Sequence, residues 1–280
     1  MKIFIAVDME GIAGVVNSMQ TSPKDPDYRF ARAWMIGEAN AAVRGAFSAG
    51  ATEVIVSDNH GGNGSRNMLA HELDGRATLM TGSPKSLDGP LGLDASCDAL
   101  LLVGMHTRNG TSGVISHTVH GLVVDEIRIN GVAFGEVGMK AALAGHYGVP
   151  TALVTGDDLT CDEALEFMPW VDTVPVKWAL SRNAARTLPP PVAAELIEEK
   201  ARNALENLES KEVLQTDTPI SVEMDFMNSG CVDASANIPR LERVSDRTIG
   251  FTGEDFADAS NLISTAIGVA WSVTRAWLGR

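Results

Sequence analysis

Three short apolar runs near the start of the chain place the strongest limit on its fold. They are KIFIAVD at residues 2–8, ATEVIVSDNH at 51–60 and ALLLVGMH at 99–106. Short runs rich in Ile, Val and Leu predict strands that are buried on both faces. A helical repeat at residues 34–49 lies between the first two runs and meets Gly50, a common helix end. Buried strands that alternate with helices predict a parallel sheet with right-handed crossovers.

The pattern changes in the second half of the chain. Residues 113–121 (GVISHTVHG) and 123–131 (VVDEIRING) predict a hairpin, with Asn130-Gly131 as the turn signal. Later segments mix a helix at 192–208 with alternating strands such as ISVEMDF. We therefore predict an α/β protein with a Rossmann-like parallel sheet core in residues 1–180. Residues 181–280 are expected to form a smaller α+β domain.

Composition narrows the class of protein. The 280 residues suit one large domain or two, and 45% hydrophobic with 21% charged residues is ordinary globular composition. A formal net charge of −14 argues against a nucleic-acid partner. Three cysteines without a CxxC pair argue against a disulfide framework and favour a reducing cytoplasm. We expect no membrane segment, because no stretch approaches the ~20 apolar residues of a bilayer span.

Polar side chains follow all three predicted strands at the point where each strand ends. Asp8 and Glu10 follow the first, His60 follows the second and His106 follows the third. In open α/β sheets the ligand crevice lies outside these carboxyl ends. Carboxylate and imidazole groups are usual ligands of zinc or a similar divalent ion. Each residue alone could be a turn former or a helix cap, but their coincidence at three strands favours a metal site.

Further candidates lie beyond the third strand. His117 and His120 are three apart on a predicted strand, so we expect them to point to opposite faces and at most one to face this edge of the sheet. Either could equally be a surface histidine. Glu136 begins a helix between glycines, which suits a ligand position as well as simple helix-dipole chemistry. Asp157 and Asp158 end another predicted strand and are candidates for an outer-shell role.

The order of the motifs resembles one known family. MKIFIAVDMEGIAGVV, VIVSDNHGG, LLLVGMH, GVISHTVHG, INGVAFGEVGM, VTGDD and RTIGFTGEDFADA run through nearly the whole chain in the order found in the DppA-type zinc-dependent D-aminopeptidases. The resemblance implies two zinc ions per subunit, with Asp8 bridging them and His117 as the catalytic histidine. The metal ligands it implies are Asp8, Glu10, His60, His106 and Glu136.

The resemblance also implies an activity and an assembly. Water activated by the metal ions would cleave an N-terminal D-amino acid from a short peptide, with His117 transferring a proton or stabilising the oxyanion. Family members are similar in forming rings, so we expect a homo-oligomer, which in the family's form is a decamer of stacked pentamers. An apolar stripe on a predicted helix is consistent with an interface between subunits, although it could equally pack in the core of one subunit. The stripe consists of Phe256, Ala259, Ile263, Ile267, Ala270 and Trp277.

Three other functions compete with this interpretation. A metal-dependent amidohydrolase on the same scaffold would keep the ligands but take a simple amide or a modified peptide, because fold does not fix substrate. A non-enzymatic peptide-binding module would have no need of clustered carboxylates and histidines. A nucleotide-binding protein is disfavoured because the glycine loop at residues 61–64 lacks a full phosphate motif and the acidic edge repels phosphate.

Overall fold

The computed structural model describes residues 1–85 and 92–279. The strands of this part of the chain are β1 (Lys2–Val7), β2 (Glu53–Asp58), β3 (Thr78–Met80), β4 (Ala99–Met105), β5 (Val124–Ile129), β6 (Val132–Ala133), β7 (Thr151–Asp157), β8 (Asp172–Ser181), β9 (Ala184–Thr187), β10 (Ile220–Phe226), β11 (Glu242–Arg243) and β12 (Thr248–Gly253). Its α-helices are α1 (Tyr28–Ser48), α2 (Glu136–His146), α3 (Asp158–Phe167), α4 (Pro190–Glu206), α5 (Ser229–Ser235) and α6 (Phe256–Trp277).

The larger sheet has seven strands in the order β3-β2-β1-β4-β7-β8-β9. All neighbours pair in parallel except β8 and β9. Val7 at the end of β1 pairs with Asp58 of β2 and with Val103 of β4, so these three strands finish at one edge. The prediction of a buried parallel sheet is confirmed, and its register brings the residues that follow β1, β2 and β4 together.

The smaller sheet is antiparallel, with the strand order β11-β12-β10-β5-β6. Asn130 and Gly131 connect β5 to β6 with φ of 50° and 80°. Positive φ at both central positions defines the two-residue turn that matches the twist of a hairpin, so the predicted Asn-Gly turn is confirmed. The fold is thus α/β with a separate antiparallel sheet, as the sequence indicates.

Two connections cross residue 180, where the sequence predicts a domain boundary. β9 pairs with β8 in the large sheet, and α4 packs against α1, with Arg44 Nε 2.6 Å from Glu198 Oε2. In the other direction, β5 and β6 belong to the small sheet although they precede residue 180. The division into 1–180 and 181–280 stays a prediction, and strand pairing does not follow it.

Helix α6 carries the apolar stripe that was considered above as an interface between subunits. Phe256, Ala259 and Ile263 are buried in the core, and so are Ile267 and Ala270. Trp277 alone among the six residues is exposed, at 81%. The stripe therefore packs inside the subunit. Within the described ranges no helix, α6 included, is both long and apolar enough to cross a membrane.

Candidate metal centre

The candidate site lies where β1, β2 and β4 end. Asp8 and Glu10 follow β1, His60 lies two residues beyond β2, and His106 follows β4 directly. All four side chains are buried. The fifth candidate, Glu136, is the first residue of α2 and is also buried. The structure brings the five predicted ligand residues together at one edge of the sheet, as parallel strands require.

One group of possible ligand atoms comes from Asp8, Glu10 and His60, and these atoms lie within 4.8 Å of one another. Nδ1 of His60 lies 3.0 Å from Glu10 Oε2 and 3.4 Å from Asp8 Oδ1. The other ring nitrogen, Nε2, lies 3.0 Å from the carbonyl oxygen of Thr21. Because a carbonyl only accepts, Nε2 carries the hydrogen, and in the neutral ring Nδ1 presents a lone pair to the carboxylates.

A second group comes from His106, His117 and Glu136, again within 4.8 Å of one another. Nε2 of His106 lies 3.2 Å from Glu136 Oε1, and its Nδ1 lies 3.1 Å from the carbonyl oxygen of Thr107. The tautomer follows by the same reasoning. Nδ1 donates to the backbone, and in the neutral ring Nε2 points its lone pair toward carboxylate oxygens.

Asp8 lies between the two groups. Its Oδ1 is 3.4 Å from His60 Nδ1, and its Oδ2 is 3.8 Å from His106 Nε2. Oδ1 also accepts a hydrogen bond of 2.8 Å from the backbone N–H of Met9, which fixes the carboxylate. One carboxylate therefore offers an oxygen to each group.

The donor set fits divalent metal ions. Nε2 of His106 is a buried nitrogen that makes no hydrogen bond of acceptable geometry to any described residue, although Glu136 Oε1 is near. In both His60 and His106 a backbone carbonyl holds one ring nitrogen and turns the other toward carboxylates. This outer-shell arrangement orients metal-binding histidines. Neutral imidazoles and carboxylates together are ligands that zinc prefers.

Ion pairs among the side chains of the site balance its charges. Burial alone would lower the pKa of His106, but Glu136 and Asp8 raise it to about 9. Burial would raise the pKa of Glu136, but Lys140 and His106 hold it well below its usual range. Lys140 Nζ lies 2.5 Å from Glu136 Oε2. The carboxylates thus recruit positive charge, which a divalent cation would also supply.

His117 belongs to the second group and also lines the adjoining cavity. Its Nδ1 lies 2.8 Å from the carbonyl oxygen of Ile115, so Nδ1 carries the hydrogen and Nε2 is the acceptor in the neutral ring. Burial, together with the neighbouring His106, lowers the pKa of His117 below its ordinary value. The imidazole is therefore neutral near pH 7 and able to accept a proton.

The expectation that His117 and His120 occupy a strand and face opposite sides is wrong. Residues 113–121 form a loop with left-handed φ at Ile115 (53°) and Val119 (55°), and both histidines line the same cavity. Val119 N–H donates to Glu136 Oε1 at 3.1 Å, which draws the loop over the site. The ring of His120 packs against that of Trp271, with centroids 4.3 Å apart.

Asp157 and Asp158 hold backbone rather than contacting the candidate ligands. Asp157 caps α3 through Thr160 N–H at 2.7 Å and accepts Val114 N–H at 2.6 Å. Asp158 accepts the N–H of Ala179 at 2.8 Å. Asp157 thus anchors the loop that carries His117, whereas Asp158 anchors β8.

The site opens into a cavity of about 720 Å³. Its lining is mixed. The loops after β1, β2 and β3 contribute polar residues, which include Thr21, Ser22, Asn59, Asn63, Ser65, Ser83 and Lys85. The 113–122 loop, α2 and α6 contribute the apolar residues Val119, Leu122, Met139, Leu143 and Ile263 as well as the polar residues His117, His120, Lys140 and Ser260.

Comparison with known proteins identifies the family. A family model described as D-aminopeptidase, Peptidase M55, matches residues 1–265. The chain belongs to this D-aminopeptidase family. It is 35% identical over 261 residues to a D-aminopeptidase of Bacillus subtilis (strain 168), covering 92% of this chain and 94% of the relative. The family resemblance read from the motifs is confirmed, and with it a metallo-aminopeptidase.

A solved structure agrees with this assignment. The Zn-dependent D-aminopeptidase DppA from Bacillus subtilis, described as a self-compartmentalizing protease, superimposes with a TM-score of 0.92 at 32% identity. The match covers 97% of this chain and 98% of that one. The α/β fold of the D-aminopeptidase is therefore that of a solved relative over nearly its full length.

Two lysines of this D-aminopeptidase, the partly buried Lys140 and the buried Lys177, do not emerge from reasoning on the sequence. Lys140 lies one helical turn after Glu136, and that i,i+4 spacing was a usable signal. Lys177 is fully buried in β8 and donates at 2.5 Å to the carbonyl oxygens of both Glu10 and Val15. A lysine inside an apolar run is a usable signal for Lys177, but the sequence does not show that it contacts Glu10 and Val15.

The glycine loop after His60 has a steric role. A Cβ placed on Gly62 would lie 2.3 Å from His60 Nε2 and 2.9 Å from the Thr21 carbonyl oxygen. A side chain there would collide with the ring and with the bond that orients it. At Gly61 a Cβ would meet nothing within 4 Å. The absence of a side chain at residue 62 therefore lets the loop close over His60.

Proposed function

We propose that this D-aminopeptidase binds two zinc ions per subunit and uses them to remove an N-terminal D-amino acid from short peptides. The observation that carries the proposal is the position of Asp8, with one carboxylate oxygen toward each group of ligand atoms. The zinc dependence of the related DppA supports the choice of metal. The proposed ligands are Asp8, Glu10, His60, His106 and Glu136.

When bound, divalent ions at this site would lower the pKa of a water molecule and polarise the scissile carbonyl group. His117 would accept a proton at Nε2 and return it to the leaving amine, because Ile115 holds its other nitrogen as a donor. Such proton transfer contributes roughly 10²–10⁴-fold to a rate. Lys140 would hold Glu136 in place through Oε2 and leave Oε1 to face His106.

The cavity supports a short peptide as substrate. Its volume of about 720 Å³ lies within the range of roughly 300–1,000 Å³ that small-molecule sites occupy. Its polar lining residues suit the peptide backbone, and its apolar lining residues suit side chains. The family match favours a peptidase over the amidohydrolase alternative.

We also propose that the chain assembles into a homo-oligomer, a decamer in the form that the family resemblance implies. The description of DppA as self-compartmentalizing supports this. Light scattering at assay concentration tests it, and a monomer would contradict it. A cytoplasmic location stays a prediction from the cysteine content.

The activity is tested with zinc-loaded protein on matched dipeptides. We expect hydrolysis of D-alanyl-D-alanine to exceed that of L-alanyl-L-alanine by at least tenfold in kcat/KM, and a chelator to abolish it. Equal rates on the two stereoisomers would contradict the D preference. Full activity after metal removal would contradict the metal dependence.

A further inference from the structure

Two ammonium groups line the cavity, and they differ in their partners. Lys140 is neutralised by Glu136 at 2.5 Å. Lys85 forms no ion pair within 4 Å of its ammonium with any described carboxylate, and Nζ donates instead to the carbonyl oxygen of Asp58. One hydrogen bond to a neutral group leaves two N–H donors of Lys85 for something else.

The carboxylate of Asp58 is not available to Lys85. Its Oδ2 accepts Met68 N–H at 2.9 Å, and its two oxygens accept the backbone and side-chain N–H groups of Asn67. These bonds fold the loop after β2. Asp58 therefore presents only its carbonyl oxygen to the ammonium.

The residue that accepts the hydrogen bond of Lys85, Asp58, lies close in sequence to the candidate metal centre. Asp58 is the last residue of β2 and lies two residues before His60. Lys85 lines the same cavity as Asp8, Glu10 and His60. The same cavity is lined by Ser83, Ser65 and Asn59, whose hydroxyl and amide groups suit a polar ligand end.

A cation that pairs with no carboxylate of the described residues is informative in this protein. The chain carries a net charge of −14, so exposed lysines have many carboxylates available to them. Burial lowers the pKa of Lys85 to about 8, and the side chain is still protonated at neutral pH. A half-buried ammonium facing a cavity gains most from an anionic ligand, because screening by solvent is weaker there.

We propose that Lys85 binds the C-terminal carboxylate of the substrate and so selects short peptides with a free carboxyl end. The inference rests on the proposed peptidase function. In a dipeptide the carboxylate lies one residue beyond the scissile bond, and each residue spans only about 3.3–3.6 Å. Because Lys85 lines the same cavity as Asp8 and Glu10, its ammonium suits the carboxylate of a dipeptide or tripeptide, whereas a long chain would carry its carboxylate out of the cavity.

The test compares a free acid with its neutral amide. Zinc-loaded wild type and Lys85→Met are assayed on D-alanyl-D-alanine and on D-alanyl-D-alaninamide. Because Lys85→Met removes a charge-assisted hydrogen bond to the carboxylate, we expect it to raise KM for the acid by about tenfold or more. The KM for the amide should change little. Lys85→Arg should retain part of the preference for the acid.

Lys200→Met, which removes an exposed lysine on α4, is the matched control and should leave both KM values unchanged. Equal effects of Lys85→Met on acid and amide, or no effect on the acid, would overturn the proposal.

A binding measurement separates this proposal from the proposed function. Calorimetry with a reduced-amide analogue of D-alanyl-D-alanine and with its carboxamide gives affinities without turnover. Tighter binding of the acid by wild type, lost in Lys85→Met, would support the role of Lys85 even if no hydrolysis is detected. Equal affinity of wild type for the two analogues would overturn the role of Lys85 even if both dipeptides are hydrolysed.

Discussion

The imidazole rings of His106 and His117 are stacked, with centroids 4.0 Å apart and planes 12° from parallel. In each ring Nδ1 faces a backbone carbonyl oxygen, that of Thr107 or that of Ile115. The remaining nitrogen of His106 faces Glu136, whereas His117 lines the cavity. Both histidines thus have the same tautomer in the neutral form and belong to the second group of ligand atoms, but of the two only His117 also lines the cavity.

Replacing His117 with alanine should remove proton transfer without removing the metal. We expect kcat to fall on the order of a hundredfold or more, the scale of lost general acid–base catalysis. Zinc content should stay near that of wild type. His120→Ala is the control and should be milder, because His120 packs on Trp271 and is a member of neither ligand group in the described structure. Near-normal turnover in His117→Ala would contradict the assignment of proton transfer to His117.

Adding a methyl group at Gly62 should weaken zinc binding. The Cβ would lie 2.3 Å from His60 Nε2, so the ring must move away from the Thr21 carbonyl oxygen. Loss of an outer-shell partner costs about 10–100-fold in metal affinity, and competition with a zinc chelator measures it. Gly61→Ala is the matched control, because the φ of −67° and the open surroundings of Gly61 accept a side chain. Equal affinities in the two variants would refute the steric role.

Glu38 should make stability depend on pH. Burial raises its pKa to about 7, although Ala13 N–H and Lys177 act to lower it. In the unfolded chain Glu38 ionises near its ordinary pKa of 4.5, whereas the folded carboxyl keeps its proton up to about pH 7. The free energy of unfolding therefore falls as pH rises from about 4.5 to about 7. Glu38→Gln removes this loss.

Unfolding in denaturant at pH 5 and at pH 8 measures the effect. The stability of Glu38→Gln relative to wild type should increase between these pH values. Glu195→Gln, an exposed position on α4, should show no such change. A difference between Glu38→Gln and wild type that is constant with pH would show that Glu38 does not titrate in this range.

Much of this molecule is predictable because local sequence patterns and sheet geometry act together. The buried runs predict β1, β2 and β4, and parallel strands bring Asp8, His60 and His106 to one edge without further information. The Asn130-Gly131 turn is also a local property. These features depend on periodicity and on residue type, both of which are visible in one sequence.

Other features depend on contacts that a sequence does not show. Residues 113–121 are rich in β-branched residues and therefore resemble a strand in sequence. In the structure, however, Ile115 and Val119 adopt left-handed φ, which β-branched residues disfavour. Asp157 and Glu136 hold that loop through hydrogen bonds to Val114 and Val119. Tertiary contacts therefore override local preference there.

Zinc content per chain tests the central claim most directly. The account predicts two zinc ions in the wild-type protein by mass spectrometry of the purified, zinc-saturated enzyme, with circular dichroism to confirm folding of each variant. Asp8→Ala should lose both ions, because its two oxygens face the two ligand groups. His60→Ala should lose one ion at most, since His60 belongs to a single group. Two ions retained in folded Asp8→Ala, or a single ion in wild type, would contradict the account.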